Sequence, residues 1–160
     1  MPTARSRPHD PAFAPDGSVW YTGQMASVLG RFDPQTNQFK EYPLKTPSPA
    51  GTSGSPQTSN DPKTGKISEW PSPGGPRSRP YAITAVGEVI WYSESNTKPN
   101  TVVRFDPKTE KFQTWIIPSG GGVVRNMVST PDGNLWLACS GVNGIAFVEV
   151  KNSAKVSSLQ

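Results

Sequence analysis

The chain has 160 residues, with 18 prolines, 15 glycines and one cysteine, and its 16 Lys and Arg against 12 Asp and Glu leave a formal charge of +4. One cysteine excludes an intramolecular disulfide, this much proline and glycine excludes long helices, and no apolar run reaches the roughly 18 residues of a membrane-spanning helix. The mild positive excess suits an anionic or polar ligand without requiring nucleic acid, and the length suits a single domain over 1–160.

In chain order, Met1 to Arg7 is polar and basic with no apolar stretch behind it, so no secretory leader is predicted and a cytoplasmic location is expected. A first blade-like unit is predicted over 8–44. It has an opening strand at Pro11 to Ala14, a turn at Pro15-Asp16-Gly17, a strand through Trp20, a third strand at Val28 to Phe32 and an outer strand at Gln38 to Tyr42. The run 46–60 is Ser, Thr, Pro, Gly, Gln and Asn with a single Ala50 and no charge before Asp61, which reads as a flexible linker at a seam. An isolated outer strand at Lys66 to Trp70 makes 61–73 a partial blade. A full blade is predicted over 78–118, with strands at Ala82 to Ala85, around Trp91, at Val102 to Phe105 and at Lys111 to Ile116. A terminal blade follows over 123–152, with strands at Met127 to Thr130, around Trp136 and at Ile145 to Val150, and a polar tail runs to Gln160.

These segments are copies of one another. Asp33-Pro34-Gln35-Thr36, Asp61-Pro62-Lys63-Thr64 and Asp106-Pro107-Lys108-Thr109 share a turn chemistry in which Asp accepts backbone hydrogen bonds, Pro presets φ, and Asn37 or Gly65 takes a positive φ. Each Asp is followed nine residues later by Tyr42, Trp70 or Trp115. The strands Val19-Trp20-Tyr21-Thr22, Ile90-Trp91-Tyr92-Ser93 and Leu135-Trp136-Leu137-Ala138 match, and Trp91 to Trp136 and Asp61 to Asp106 are both 45 residues apart. A period near 45 with four short strands predicts an all-β fold of propeller blades built from four antiparallel strands. About three blades are present, fewer than the roughly four that close the smallest ring, so the propeller is incomplete.

The phrases Arg7-Pro8-His9-Asp10, Pro15-Asp16-Gly17 with Trp20-Tyr21-Thr22, Leu29-Gly30-Arg31-Phe32-Asp33-Pro34 and Phe39-Lys40-Glu41-Tyr42-Pro43-Leu44 resemble a blade of the virginiamycin B lyase, or streptogramin lyase, family. Lys66 to Pro71 and Ser78 to Tyr81 repeat the match. The resemblance implies a seven-bladed ring roughly twice this length. It implies a reaction that opens a cyclic depsipeptide antibiotic at its ester by elimination, with magnesium held by acidic side chains at the central funnel and a histidine as general base. Carried over position by position, His9 is the base, Glu94 after Trp91-Tyr92-Ser93 is the metal ligand, and Arg7, Arg79, Tyr81, Arg125 and Asn126 bind substrate. Tyr81 and Asn126 stand where the family carries further histidines, and Gly23 and Cys139 stand where it carries further acids.

Plainer readings stand beside these: His9 as a polar loop residue, Glu94 as a solvated rim charge, and the arginines as partners of the turn aspartates. Cys139, within the apolar run Leu135 to Cys139, reads as a small buried hydrophobe. Two other functions share the fold signal. One is a binding module that takes a ligand or protein without turnover; the other is a lactonase-like hydrolase, which adds water where elimination conserves mass. A second copy completing the ring is the expected protein partner, with no nucleic acid and no membrane.

Overall fold

The computed structural model describes residues 2–23, 25–44, 57–60, 64 and 66–151, with the backbone alone at 10 and 57–60. The seam expected at 46–60 lies outside the described residues as far as 56. So do the turn residues Asp61, Pro62, Lys63 and Gly65, and the tail beyond Lys151. The chain forms two compact units, Met1–Ser72 and Pro73–Gln160, where the sequence reading treats 1–160 as one domain.

In the first unit β1 (Pro8–Phe13), β2 (Val19–Gly23), β3 (Val28–Asp33) and β4 (Gln38–Pro43) pair in the order β1-β2-β3-β4, all antiparallel. The turns are held by their own aspartates. Asp16 Oδ1 accepts the Ser18 backbone N–H at 3.0 Å and its hydroxyl at 2.6 Å, and Asp33 Oδ1 accepts the Gln35 N–H at 2.9 Å. Asn37 takes φ 56°, as the turn requires. Tyr21 lies directly opposite Gly30, and a Cβ on Gly30 would sit 2.0 Å from the Tyr21 ring. The glycine in Leu29-Gly30-Arg31 is therefore the floor under a cross-strand tyrosine, whose hydroxyl donates to Glu41 Oε1 at 3.0 Å on β4.

The partial blade differs from its sequence reading. Gln57–Asn60 is not linker but a strand, β5, paired antiparallel with β6 (Ile67–Trp70) from Gln57 opposite Trp70 to Asn60 opposite Ile67. Its residues are polar and show no alternation, so the ladder to β6 defines the strand rather than a buried face.

The second unit holds β7 (Pro80–Val86), β8 (Val89–Glu94), β9 (Thr101–Asp106) and β10 (Lys111–Ile116) in the order β10-β9-β8-β7. Beside them lie β11 (Val124–Ser129), β12 (Leu135–Cys139) and β13 (Gly144–Val148) in the order β11-β12-β13. The phrase turn repeats, with Asp106 Oδ1 accepting the Lys108 N–H at 3.0 Å and Glu110 at φ 56°. β13 stops short of the expected Val150 because the Val150 N–H leaves the ladder and donates to Asn134 Oδ1 at 2.8 Å. The only helical element among the described residues is a 3-10 turn at Ser140–Val142.

The two blades of this unit share one core. Met127, Leu135 and Leu137 of the terminal blade are buried with Ala82, Trp91 and Val102 of the full blade. Strand β12 alternates buried and exposed from Leu135 to Cys139, which is how one face of a sheet is given to a neighbour. Burial of each large side chain contributes about 1.5–3 kcal/mol. Two hydroxyls bridge the blades: Ser129 Oγ donates to the Ala85 carbonyl at 3.4 Å and Ser93 Oγ to the Val124 carbonyl at 3.5 Å. The fold is all-β and is that of an incomplete propeller, as the 45-residue period predicts.

Candidate functional site

Each candidate side chain but one comes from the approach to an inner strand or from that strand itself. Before β1 and β7 the chain reads Arg5-Ser6-Arg7-Pro8 and Arg77-Ser78-Arg79-Pro80. Proline disfavours the right-handed helical conformation for the residue before it, and Arg7 and Arg79 take the left-handed one, with φ 48° and 53°. Ser6 and Ser78, one residue earlier, are buried, and their hydroxyls find no hydrogen-bond partner among the described residues.

Near the start of each of the three inner strands the ladder slips by one residue. A β-bulge interrupts the pairing between His9 and Ala12, between Pro80 and Ile83, and between Val124 and Asn126. His9, Tyr81, Arg125 and Asn126 all stand at the bulges. Such an irregularity turns side chains away from the regular alternation of a strand. A hydroxyl on the Trp strand attends two of the three bulges: Thr22 Oγ1 donates to the His9 carbonyl at 3.1 Å, and Ser93 Oγ accepts the Ala82 N–H at 3.2 Å. The third copy has Ala138 at that place.

The second unit brings Arg79, Tyr81, Arg125 and Asn126 to the same end of two neighbouring inner strands. Tyr81 is half-buried, and the other three are exposed. Arg7 and His9 belong to the first unit, where Arg7 is exposed and His9 half-buried. Among the described residues Arg7, Arg79 and Arg125 do not pair with the turn aspartates. Asp16 instead meets Arg31 at 3.1 Å, and the hydrogen bonds from Ser18, reinforced by Arg31, hold its carboxyl at about 2. Asp33 and Asp106 are likewise held below the usual carboxylate range, with the N–H groups of their own turns as donors.

Glu94 is not a solvated rim charge. It closes β8, opposite Pro80 on one side and Thr101 on the other, and is 1% exposed. The Gly74 N–H donates to its Oε1 at 2.7 Å and the Thr101 hydroxyl to its Oε2 at 2.7 Å. Gly74 is required there, because a Cβ would lie 2.7 Å from that carboxylate oxygen and 2.6 Å from Thr97. The residues present do not fit magnesium: both Glu94 oxygens are engaged by protein donors, and no group of three His, Cys, Asp or Glu comes together among the described residues. Cys139 is buried as expected, and burial pushes its thiol pKa up, which suits a packed hydrophobe rather than a nucleophile. Among the described residues no helix is long and apolar enough to cross a membrane.

Sequence reasoning missed Gly74, Thr101 and the two buried serines. The Arg-Ser-Arg-Pro repeat and the matched hydroxyls of Thr22 and Ser93 were the available signals. A cleft of about 760 Å³ also opens in the second unit, lined by Trp91, Arg104, Trp115, Ile117 and Val150. It lies at the outer strands, where the terminal blade lacks a fourth strand among the described residues, and takes in none of the candidate residues.

No protein-family model matches the chain, and no curated protein matches it. Solved structures do. A streptogramin B lyase structure aligns with a TM-score of 0.80 at 23% identity over 94% of this chain and 53% of its own. A catalytically inactive H270A virginiamycin B lyase from Staphylococcus aureus, solved with quinupristin, aligns with a TM-score of 0.76 at 17% identity over 96% and 59%. A candidate 6-phosphogluconolactonase from Bacteroides uniformis aligns with a TM-score of 0.63 at 19% identity over 88% and 49%. The likeness is one of fold, and the chain spans between half and three-fifths of the lyase structures it matches.

Proposed function

We propose that this chain is a substrate-gripping part of a streptogramin-lyase-type propeller, whose reaction in a closed ring is the elimination that opens a cyclic depsipeptide ester. The observation that carries this reading is the one-residue slip near the start of each of three inner strands, with Tyr81 and Arg125 inside it and His9 and Asn126 at its edge. In this reading His9 removes the proton α to a carbonyl. The electron pair left behind forms a carbon–carbon double bond while the ester carbon–oxygen bond breaks and the carboxylate leaves, so mass is conserved. Arg7 beside His9 in the first unit, and Arg79 and Arg125 in the second, are cations suited to a carboxylate, and Tyr81 and Asn126 suit polar groups of a ligand. Magnesium, implied by the resemblance, would need donors from beyond the described residues, and no step is drawn through it. Glu94 supports the segment from Gly74 to Arg79. A second copy that supplies further blades of a ring is the protein partner in this reading.

Incubation with quinupristin, with magnesium or with a chelator, followed by chromatography and mass spectrometry, tests the reading. The expected product is ring-opened at unchanged mass and is lost in His9→Ala. A sugar lactone serves as the parallel substrate. A product heavier by one water would mark a lactonase-like hydrolase, the second reading, which the likeness to the Bacteroides uniformis protein favours. Binding without product would leave a non-catalytic module, a role favoured by the engaged carboxylate of Glu94. The absence of both binding and turnover would overturn the proposal.

A further inference from the structure

The two ends of the second unit differ in charge. Its paired strands alternate in direction, so 86–89, 106–111, 129–135 and 148–151 fall at one end, and 74–80, 94–101, 116–125 and 139–144 at the other. The first end mixes both signs: Glu88, Asp106, Glu110, Asp132 and Glu149 stand there among Lys108, Lys111 and Lys151. The second end holds Arg77, Arg79, Lys98 and Arg125, all exposed, and a single carboxylate. That carboxylate is the buried Glu94, whose two oxygens already accept from Gly74 and Thr101. A cationic field at this end is therefore left without an acidic counterpart among the described residues.

The backbone that carries these cations is tied down. The carbonyls of Arg77, Ser78 and Arg79 accept from the Asn96 side chain at 2.7 Å, the Asn96 N–H at 2.9 Å and the Ser95 N–H at 3.1 Å. Ser93 Oγ lies between the peptide groups that follow Tyr81 and precede Arg125, accepting the Ala82 N–H at 3.2 Å and donating to the Val124 carbonyl at 3.5 Å. One hydroxyl thus separates the backbones of Tyr81 and Arg125. Donors are left over here. The side chains of Arg79, Tyr81, Arg125 and Asn126 make no hydrogen bond or ion pair among the described residues. Ser78 is 1% exposed, and its hydroxyl and that of Ser95, the two neighbours of Arg79 in this network, are buried without a hydrogen-bond partner among the described residues.

We propose that this end of the second unit binds a small oxyanion, a carboxylate or a phosphate group, through Arg79 and Arg125, with Tyr81 and Asn126 as neutral donors. Two-oxygen groups of either kind match the guanidinium fork, and the surplus of donors over acceptors at this end selects an acceptor-only ligand. The inference rests on the proposed function in taking these residues as ligand contacts, but it concerns the second unit alone and needs no turnover.

NMR titration of the full chain with inorganic phosphate, and separately with citrate, is expected to show saturable amide shifts around Tyr81 and Arg125. Response to phosphate alone supports the proposal for a phosphate ligand, response to citrate alone for a carboxylate, and response to both for the shared chemistry. Arg79→Gln and Arg125→Gln are each expected to weaken binding about tenfold, and Arg125→Lys, which keeps the charge and loses the fork, by less. Both arginines are exposed, so the variants are expected to fold, which circular dichroism verifies. Lys111→Gln removes the same charge at the opposite end and is expected to leave binding unchanged. No saturable shift with either probe at millimolar concentration, shifts centred elsewhere, or equal losses in Lys111→Gln and Arg125→Gln would each overturn the proposal. Anion binding without turnover of quinupristin leaves it standing and sinks the catalytic reading; turnover without anion binding does the reverse.

Discussion

The first blade and the full blade have the same four strands in the same order, and the same aromatic pairs: Trp20 on Tyr42 and Trp91 on Trp115, Phe32 on Phe39 and Phe105 on Phe112. Their burial differs. Trp91, Tyr92, Val102, Val103 and Phe105 are all buried, whereas in the first blade Tyr21 and Val28 are the buried large apolar residues among those described. A blade therefore sets its own register and its own stacking, and within the second unit the terminal blade completes the burial of the face that carries Trp91 and Val102. The first blade compensates with polar contacts, in which Tyr21 reaches over Gly30 to a Glu41 that also receives Thr3.

The largest expected effect breaks that contrast at its centre. Trp91→Ala should cost about 3–5 kcal/mol, the range for emptying a packed aromatic site, whereas Trp20→Ala, at a half-buried place, loses a stack on Tyr42 and an indole N–H donation to Ser18 Oγ and should cost about 1–2 kcal/mol. Chemical denaturation of the two variants checks the ratio, and equal losses would mean that Trp20 is packed as closely as Trp91. Next comes Glu94→Ala, which strands the Gly74 N–H and the Thr101 hydroxyl in a buried place and should cost about 1–3 kcal/mol. Glu94→Gln keeps a carbonyl acceptor and should lose less. If both lose the same, the negative charge rather than the acceptor is what the site uses.

Gly30→Ala tests the first blade's own device. The added methyl collides with the Tyr21 ring, so a loss of about 1–3 kcal/mol is expected, and a Tyr21→Ala background should erase most of that difference in thermal melts. The smallest effect is a pH dependence. Burial first, and the hydrogen bond to Glu41 second, push the Tyr21 phenol up to about 12 from its ordinary value near 10. The folded chain thus keeps the phenol proton where the unfolded chain has lost it. Stability from this group is complete below about pH 10 and falls as pH rises toward 12. In Tyr21→Phe that part of the alkaline loss should vanish, and an unchanged alkaline profile would assign it elsewhere.

Much of the fold was legible because its determinants are local. The Asp-Pro phrases mark turns that their own side chains complete, and the matched Trp strands are runs of β-branched and aromatic residues that follow turn chemistry. Strand β5 was hidden because Gln57-Thr58-Ser59-Asn60 owes its conformation to a partner ladder and carries no apolar pattern of its own. The bulges were hidden for a related reason: a slip in pairing belongs to two strands at once. In the candidate site the positions of Arg7, Arg79, His9 and Tyr81 followed from the repeat, while the burial of Glu94 did not. Its donors are a backbone N–H twenty residues earlier and a hydroxyl seven residues later, so no motif joins them.

Every strand in both units pairs with its neighbour in the sequence. Sheet formation then closes only short loops, and each hairpin can find its register before distant parts of the chain have met. Folding becomes a series of local acts followed by stacking. Inheritance can work in the same denomination: inserting or removing one 45-residue stretch alters how many sheets are available to stack without re-threading those that remain.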